Sequence, residues 1–256
     1  MLSGAYDIHM AEEPEADALQ FGAADWLRYG NVNDPSTREK MIMLAIDEIY
    51  SVGPADFNAM RVCDRLGIKH PMVNYHFGNR DGLLAEATWW AYQQWTRNVR
   101  ASIQGAPANP EKRLRAFITE EVQWAEKMGG MYLLLQYPLS SAGAQQIVSE
   151  KYQTQMEKFF EYHLALLAVI IGDLRSGKVS SVDFDEESQP TASLALRPQL
   201  VIAAGHIAWM THGLASWSTG HHISTDGFVA RSTQEISVAI AKKTYVDLIV
   251  KVAKGK

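Results

Sequence analysis

Three helix breakers crowd into one short stretch of the chain: Val52-Gly53-Pro54, Leu66-Gly67-Ile68 and Phe77-Gly78-Asn79. Proline and glycine at these spacings stop helices after a few turns, so the segments between them can only be short helices packed on one another. The first opens with Ser36-Thr37-Arg38-Glu39, an S-x-x-E pattern in which serine and glutamate cap each other's backbone donors; Ile42, Ala45, Ile46 and Ile49 follow at helical spacing. Asn58 suits the N-cap of a second helix over about 58–65, with Phe57 placed to pack on Val62. Gly67 supplies the positive φ that a sharp reversal needs. A third helix over about 69–76 accommodates Pro71 in its first turn, where intrahelical donors are unused. Asn79 and Asp81 then open a long fourth helix through Leu84, Ala87, Ala91, Trp95 and Val99 to Gly105-Ala106-Pro107.

The remainder is also patterned as helix, over about 110–128, 130–137, 141–172, 191–218 and 224–251, and strand-like alternation is absent. The expected fold is therefore all-α, with an N-terminal three-helix helix-turn-helix unit and a larger C-terminal helical domain. Residues 1–35 read as an acidic, partly flexible arm, 36–82 as the small domain and 83–256 as the large one. Residues 176–190, with four acids and four serines, read as a surface loop. At 47% hydrophobic the chain has enough apolar residues for such cores. Cys63 is the only cysteine, which excludes an intramolecular disulfide, and no basic-then-apolar leader opens the sequence, so the expected compartment is the cytoplasm. Residues 198–225 carry no charge, but Gln199, His206, Thr211, His212 and Ser216 interrupt them, which suits a helix buried in protein and gives no membrane partner.

The net charge of −5 does not by itself suggest a nucleic-acid partner. Its distribution does not exclude one: residues 1–34 hold seven acids against Arg28, a net of −6, leaving the rest at +1. Between Ser36 and Gly82 six bases balance six acids, so affinity for DNA has to come from placement and dimerisation, and binding is expected to be salt-sensitive.

The stretch carrying Arg38-Glu39-Lys40, Asn58-Ala59-Met60-Arg61-Val62-Cys63, Leu66-Gly67-Ile68, Tyr75-His76-Phe77-Gly78-Asn79-Arg80 and Leu83-Leu84 resembles the N-terminal signature of the TetR/AcrR family of bacterial transcriptional regulators. It departs from the family pattern at Asn58, where threonine is usual, at Lys69, where a capping serine is common, and at Asn74, often a tyrosine. The resemblance implies a cytoplasmic, homodimeric, ligand-responsive regulator, a repressor released from a pseudo-palindromic operator in double-stranded DNA. The DNA-contacting positions would be Thr37, Asn58, Lys69, His70, Met72, Asn74, Tyr75, His76 and Arg80. Lys69, His70 and Met72, in the first turn of the third helix, are candidates for base edges. Tyr75, His76 and Arg80, with Thr37 at the head of helix one, are candidates for phosphates. Val73 and Phe77 read as core.

In the large domain, Val148, Tyr152, Met156, Phe159, His163, Leu166 or Leu167, and Ile170 recur at steps of three and four. Such a stripe is usually core, yet pliable and aromatic side chains also line small-molecule cavities. For a small, largely apolar or aromatic effector, the candidate lining is Trp124, Met128, Tyr132, Tyr152, Met156, Phe159, His163, Trp209 and Met210. The helix over 191–218 is apolar or small all round and is expected to be buried on more than one side. With the last helix it resembles the family's dimer interface, a four-helix bundle from two chains, and the long fourth helix would be the lever joining sensor to DNA.

No cofactor, metal or catalytic residue is expected. His206 and His212 are six apart and His221-His222 adjacent, neither of which places two imidazoles on one helical face. Gly172-Asp173-Leu174-Arg175-Ser176-Gly177-Lys178 starts like a phosphate-binding loop but continues with Val179 and leaves a helix instead of entering one. Two alternatives stay open at this point: a helical enzyme without a familiar motif, and a module whose small helices dock on another protein.

Overall fold

The computed structural model describes residues 35–53, 55–128, 141–180, 197–223 and 231–255. Among these residues there are eight helices and no strand, as the all-α reading requires: α1 Thr37–Val52, α2 Ala59–Leu66, α3 Pro71–Phe77, α4 Arg80–Gly105, α5 Pro110–Met128, α6 Ala142–Ser176, α7 Pro198–Ile223 and α8 Arg231–Ala253. The acidic arm, the helix expected over 130–137 and most of the loop at 176–190 lie outside the described residues.

The first helices begin and end where local chemistry directs. Ser36 Oγ accepts from the Glu39 N–H at 3.3 Å while the Glu39 carboxylate accepts the Ser36 N–H at 2.7 Å. The Ser36 hydroxyl also donates to the Glu39 carboxylate at 2.7 Å, and this bond first and the Ser36 N–H second hold the Glu39 carboxyl below the usual carboxylate range. Asn58 Oδ1 accepts from Met60 N–H at 2.9 Å, and α2 ends at Gly67 with φ of 65°. Asn79 caps α4 by accepting from Gly82 N–H at 2.8 Å. Gly82 is required there: a Cβ would lie 1.9 Å from the Phe77 carbonyl oxygen, so the end of α3 is seated directly on the first turn of α4.

α4, at 26 residues and about 39 Å long at ~1.5 Å per residue, crosses residue 82 without a break. Its start packs against α1 and α3 and its body against α5 and α6, with α7 and α8 completing the other side. One continuous core results, from Met41, Ile46 and Val62 through Leu84, Ala91 and Ile103 to Leu114, Leu167 and Ile249. Polar ties pin the last helix: Arg115 to Asp247 at 2.7 Å, Lys254 to Glu111 at 2.7 Å, and Glu126 bridging Ser218 and Lys242.

Two expectations need correction. The third helix starts at Pro71, two residues later than anticipated, because His70 makes no side-chain cap and Lys69 lies in the preceding turn. α7 buries one side only, along Ala204, Ile207, Thr211, Leu214 and Ala215, while Ile202 and Trp209 face outward; its uniform apolarity does not reflect burial on all sides within one chain. Among the described residues no helix is long and apolar enough to cross a membrane.

Candidate nucleic-acid interface and ligand cavity

The α2–turn–α3 unit presents one exposed edge. Lys69 and His70 in the turn and Asn74 and Tyr75 on α3 project into solvent, Tyr75 with 80% of its surface exposed, and Thr37 is exposed at the head of α1. A tyrosine left this bare adds little to the packing of its own chain and leaves its ring and hydroxyl open to a contact outside it. Met72 and Phe77 pack against the core, and Val73 is buried.

Several of the expected contact residues are engaged by the protein itself. Asn58 is engaged as the α2 cap. His70 Nε2 lies 2.7 Å from Asp64 Oδ1, tying the turn back to α2. His76 turns inward, its Nε2 enclosed without a hydrogen-bond partner. Arg80 donates through Nε and Nη2 to the Phe57 carbonyl at 3.2 Å and lies 5.3 Å above the Phe57 ring, so it clamps the start of α4 to the lead-in of α2. The other arginines of the unit are paired as well: Arg38 with Glu86 at 2.8 Å, Arg61 with Glu48 at 2.8 Å and Arg65 with Asp47 at 2.6 Å. The balanced charge of the segment thus has a structural cause.

A cavity of about 200 Å³, partly open, lies between α4, α5, α6 and α7. Tyr92 and Trp95 enter it from α4, and Phe117, Glu121 and Trp124 from α5. α6 contributes Phe160, His163, Leu164 and Leu167, and α7 adds Ala208 and His212. Of the residues expected from sequence, Trp124 and His163 line it. Tyr152, Met156 and Phe159 sit further along α6, beside the cavity: Tyr152 stacks on Trp89 at 4.8 Å and 5°, Phe159 tilts against the same indole, and the Met156 carbonyl accepts from Tyr92 Oη at 3.2 Å. Trp209 faces away from the cavity, 76% exposed, and Met210 packs on the core. Tyr132 and the Met128 side chain lie outside the described residues.

The missed residues carried a signal. Trp89, Tyr92 and Trp95 repeat every three positions along α4, and Phe117, Glu121 and Trp124 share a face of α5, so a carboxylate interrupts an apolar stripe. Glu121 is 3% exposed, accepting from Trp95 Nε1 at 2.7 Å with His212 Nδ1 at 3.5 Å. His163 stacks on Trp95 at 5.0 Å and 8°. Its Nδ1 lies 2.8 Å from the Phe159 carbonyl, which can only accept, so the proton is on Nδ1 and Nε2 is a bare lone pair, buried without a partner. Burial holds the imidazole pKa below its ordinary value and keeps the ring neutral. Burial, with the Glu121 charge second, pushes the Tyr92 phenol well above its usual range. Cys63, buried in α2, has its thiol pKa raised by desolvation and is packing. Among the described residues no group of three or more histidine, cysteine or acidic side chains gathers as a metal site would.

No family model and no curated protein sequence matches this chain. Among solved structures, it is similar to a candidate transcriptional regulator from Pseudomonas aeruginosa PAO1, with a TM-score of 0.50 and 18% identity over 85% of this chain and 91% of that one. At this identity the likeness is one of fold.

Proposed function

We propose that this chain is a ligand-responsive, DNA-binding transcriptional regulator of TetR/AcrR type, acting as a homodimer and repressing until a small, largely apolar or aromatic effector fills the cavity. The observation that carries the reading is the exposed edge of the α2–turn–α3 unit, with Lys69 projecting from the turn and Asn74 and Tyr75 from a short helix whose other side is anchored in the core. That arrangement suits a recognition helix laid in a major groove, with Lys69 and Asn74 available to bases and Tyr75 and Thr37 to phosphates. The likeness of fold to a candidate regulator supports it.

Dimerisation has its own support. Ile202 and Trp209 on α7 and Ile240, Tyr245, Leu248 and Val252 on α8 are exposed apolar side chains on neighbouring helices. In this reading they meet the same residues of a second copy, and the two-fold axis sets two recognition helices about one DNA turn apart. In this reading the cavity holds the effector without converting it.

A mobility-shift titration with duplexes from either side of the coding region tests the proposal. A discrete complex of two chains per duplex, weakened steeply by salt and by the replacements Lys69→Ala and Tyr75→Ala, is the expected result. A complex indifferent to both replacements, or none at low salt, overturns it.

A further inference from the structure

The effector cavity has a chemistry more specific than its size suggests. Its walls are aromatic rings, with Tyr92, Trp95, Phe117 and Trp124 among them; the Tyr92 hydroxyl and the Trp95 N–H donate to the Met156 carbonyl and to Glu121, and among the lining residues Glu121 and His163 bring acceptors. Glu121 brings a carboxylate that is 3% exposed, and His163, 5% exposed, brings the bare Nε2 lone pair. Lysine and arginine are absent from the described lining; the nearby Arg100 lies over the Tyr162 ring at 4.4 Å, outside it. The carboxylate's partners are an indole N–H and an imidazole, neither of which carries a fixed charge. A buried carboxylate so placed is best compensated by a cation that also donates hydrogen bonds, and aromatic faces attract the same cation through their quadrupoles.

We infer that the cavity selects a protonated organic amine with a small apolar or aromatic body, its ammonium group held by Glu121 and His163 and its body among the rings. This rests on the sensing role proposed above and names the ligand class. An anion would meet Glu121 as a like charge, and a neutral alcohol would gain a hydrogen bond without the ionic attraction.

Titration of the full-length protein with phenethylamine, phenethyl alcohol and phenylacetate, followed by tryptophan fluorescence and calorimetry near neutral pH, tests the inference. Phenethylamine should bind at least about tenfold more tightly than the alcohol, with phenylacetate weakest. Glu121→Gln should erase the difference between amine and alcohol, and Glu121→Asp should retain part of it. The comparison on the unaltered protein stands even if a variant folds poorly. Equal affinity for amine and alcohol, preference for the acid, binding of none of the three, or an undiminished preference in a folded Glu121→Gln protein would each overturn the inference. DNA binding measured on the same preparation separates the two ideas. A DNA complex without amine selectivity removes the ligand class alone, while amine selectivity without any DNA complex removes the regulator and leaves the site.

Discussion

Tyr75 and Arg80 stand five positions apart and take opposite parts. Tyr75 touches little of its own chain, so Tyr75→Ala is expected to change stability by no more than about 0.5 kcal/mol while weakening DNA binding. Arg80 is committed to the Phe57 carbonyl and ring, so Arg80→Ala should cost about 1–3 kcal/mol in chemical denaturation. Gly82→Ala drives a methyl into the Phe77 carbonyl and should destabilise by about 1–3 kcal/mol or more, read as a lowered melting temperature. His163 supplies a pH dependence. Its folded pKa is depressed mainly by burial, so below about 6.5 the unfolded chain binds the proton more readily than the folded one, and stability falls as pH drops from that point towards the lower folded value. His163→Leu should flatten that decline in denaturation curves taken between neutral and mildly acid pH; an unchanged slope would mean that folding leaves the His163 pKa where it stands in the unfolded chain.

At the level of elements, α4 joins the exposed edge to the cavity. Trp95 and Tyr92 line the cavity, Trp89 stacks on Tyr152, and one turn earlier Glu86 accepts from Tyr152 Oη at 2.6 Å and pairs with Arg38 of α1, which itself lies 5.2 Å over the Phe77 ring of α3. If Glu86 transmits between the two ends, stability changes from Arg38→Ala and Tyr152→Phe should be non-additive by about 0.5–2 kcal/mol in a double-mutant cycle; strict additivity would remove Glu86 from the route. Much of this frame was legible in the sequence, because Ser36, Asn58, Gly67, Asn79 and Gly105 act locally on helix ends. The cavity was only half legible. Periodicity locates the apolar face of α6 but does not say which height along it meets a void, so Trp124 and His163 were found while Tyr92, Trp95 and Glu121 were not. The inward turn of His76 likewise depends on how α3 is rotated against the core, which spacing alone leaves open.

For the molecule as a whole, the neutral α2–turn–α3 unit and the apolar α7–α8 face fit the proposed regulator together: one unit whose arginines are already paired would hold DNA weakly, and two coupled units would gain by acting together. Trp209→Glu should therefore yield a folded monomer by sedimentation and lose the discrete DNA complex, whereas a dimer that survives the change would move the interface elsewhere. The proposed regulator requires α3 to read DNA, twice per particle. Selection of bound duplexes from a random-sequence pool measures whether it does. Enrichment of a pseudo-palindrome with half-sites about ten base pairs apart, shifted in sequence by Lys69→Ala or Asn74→Ala, is predicted. A pool that stays random, or an enriched motif that neither replacement alters, would contradict it.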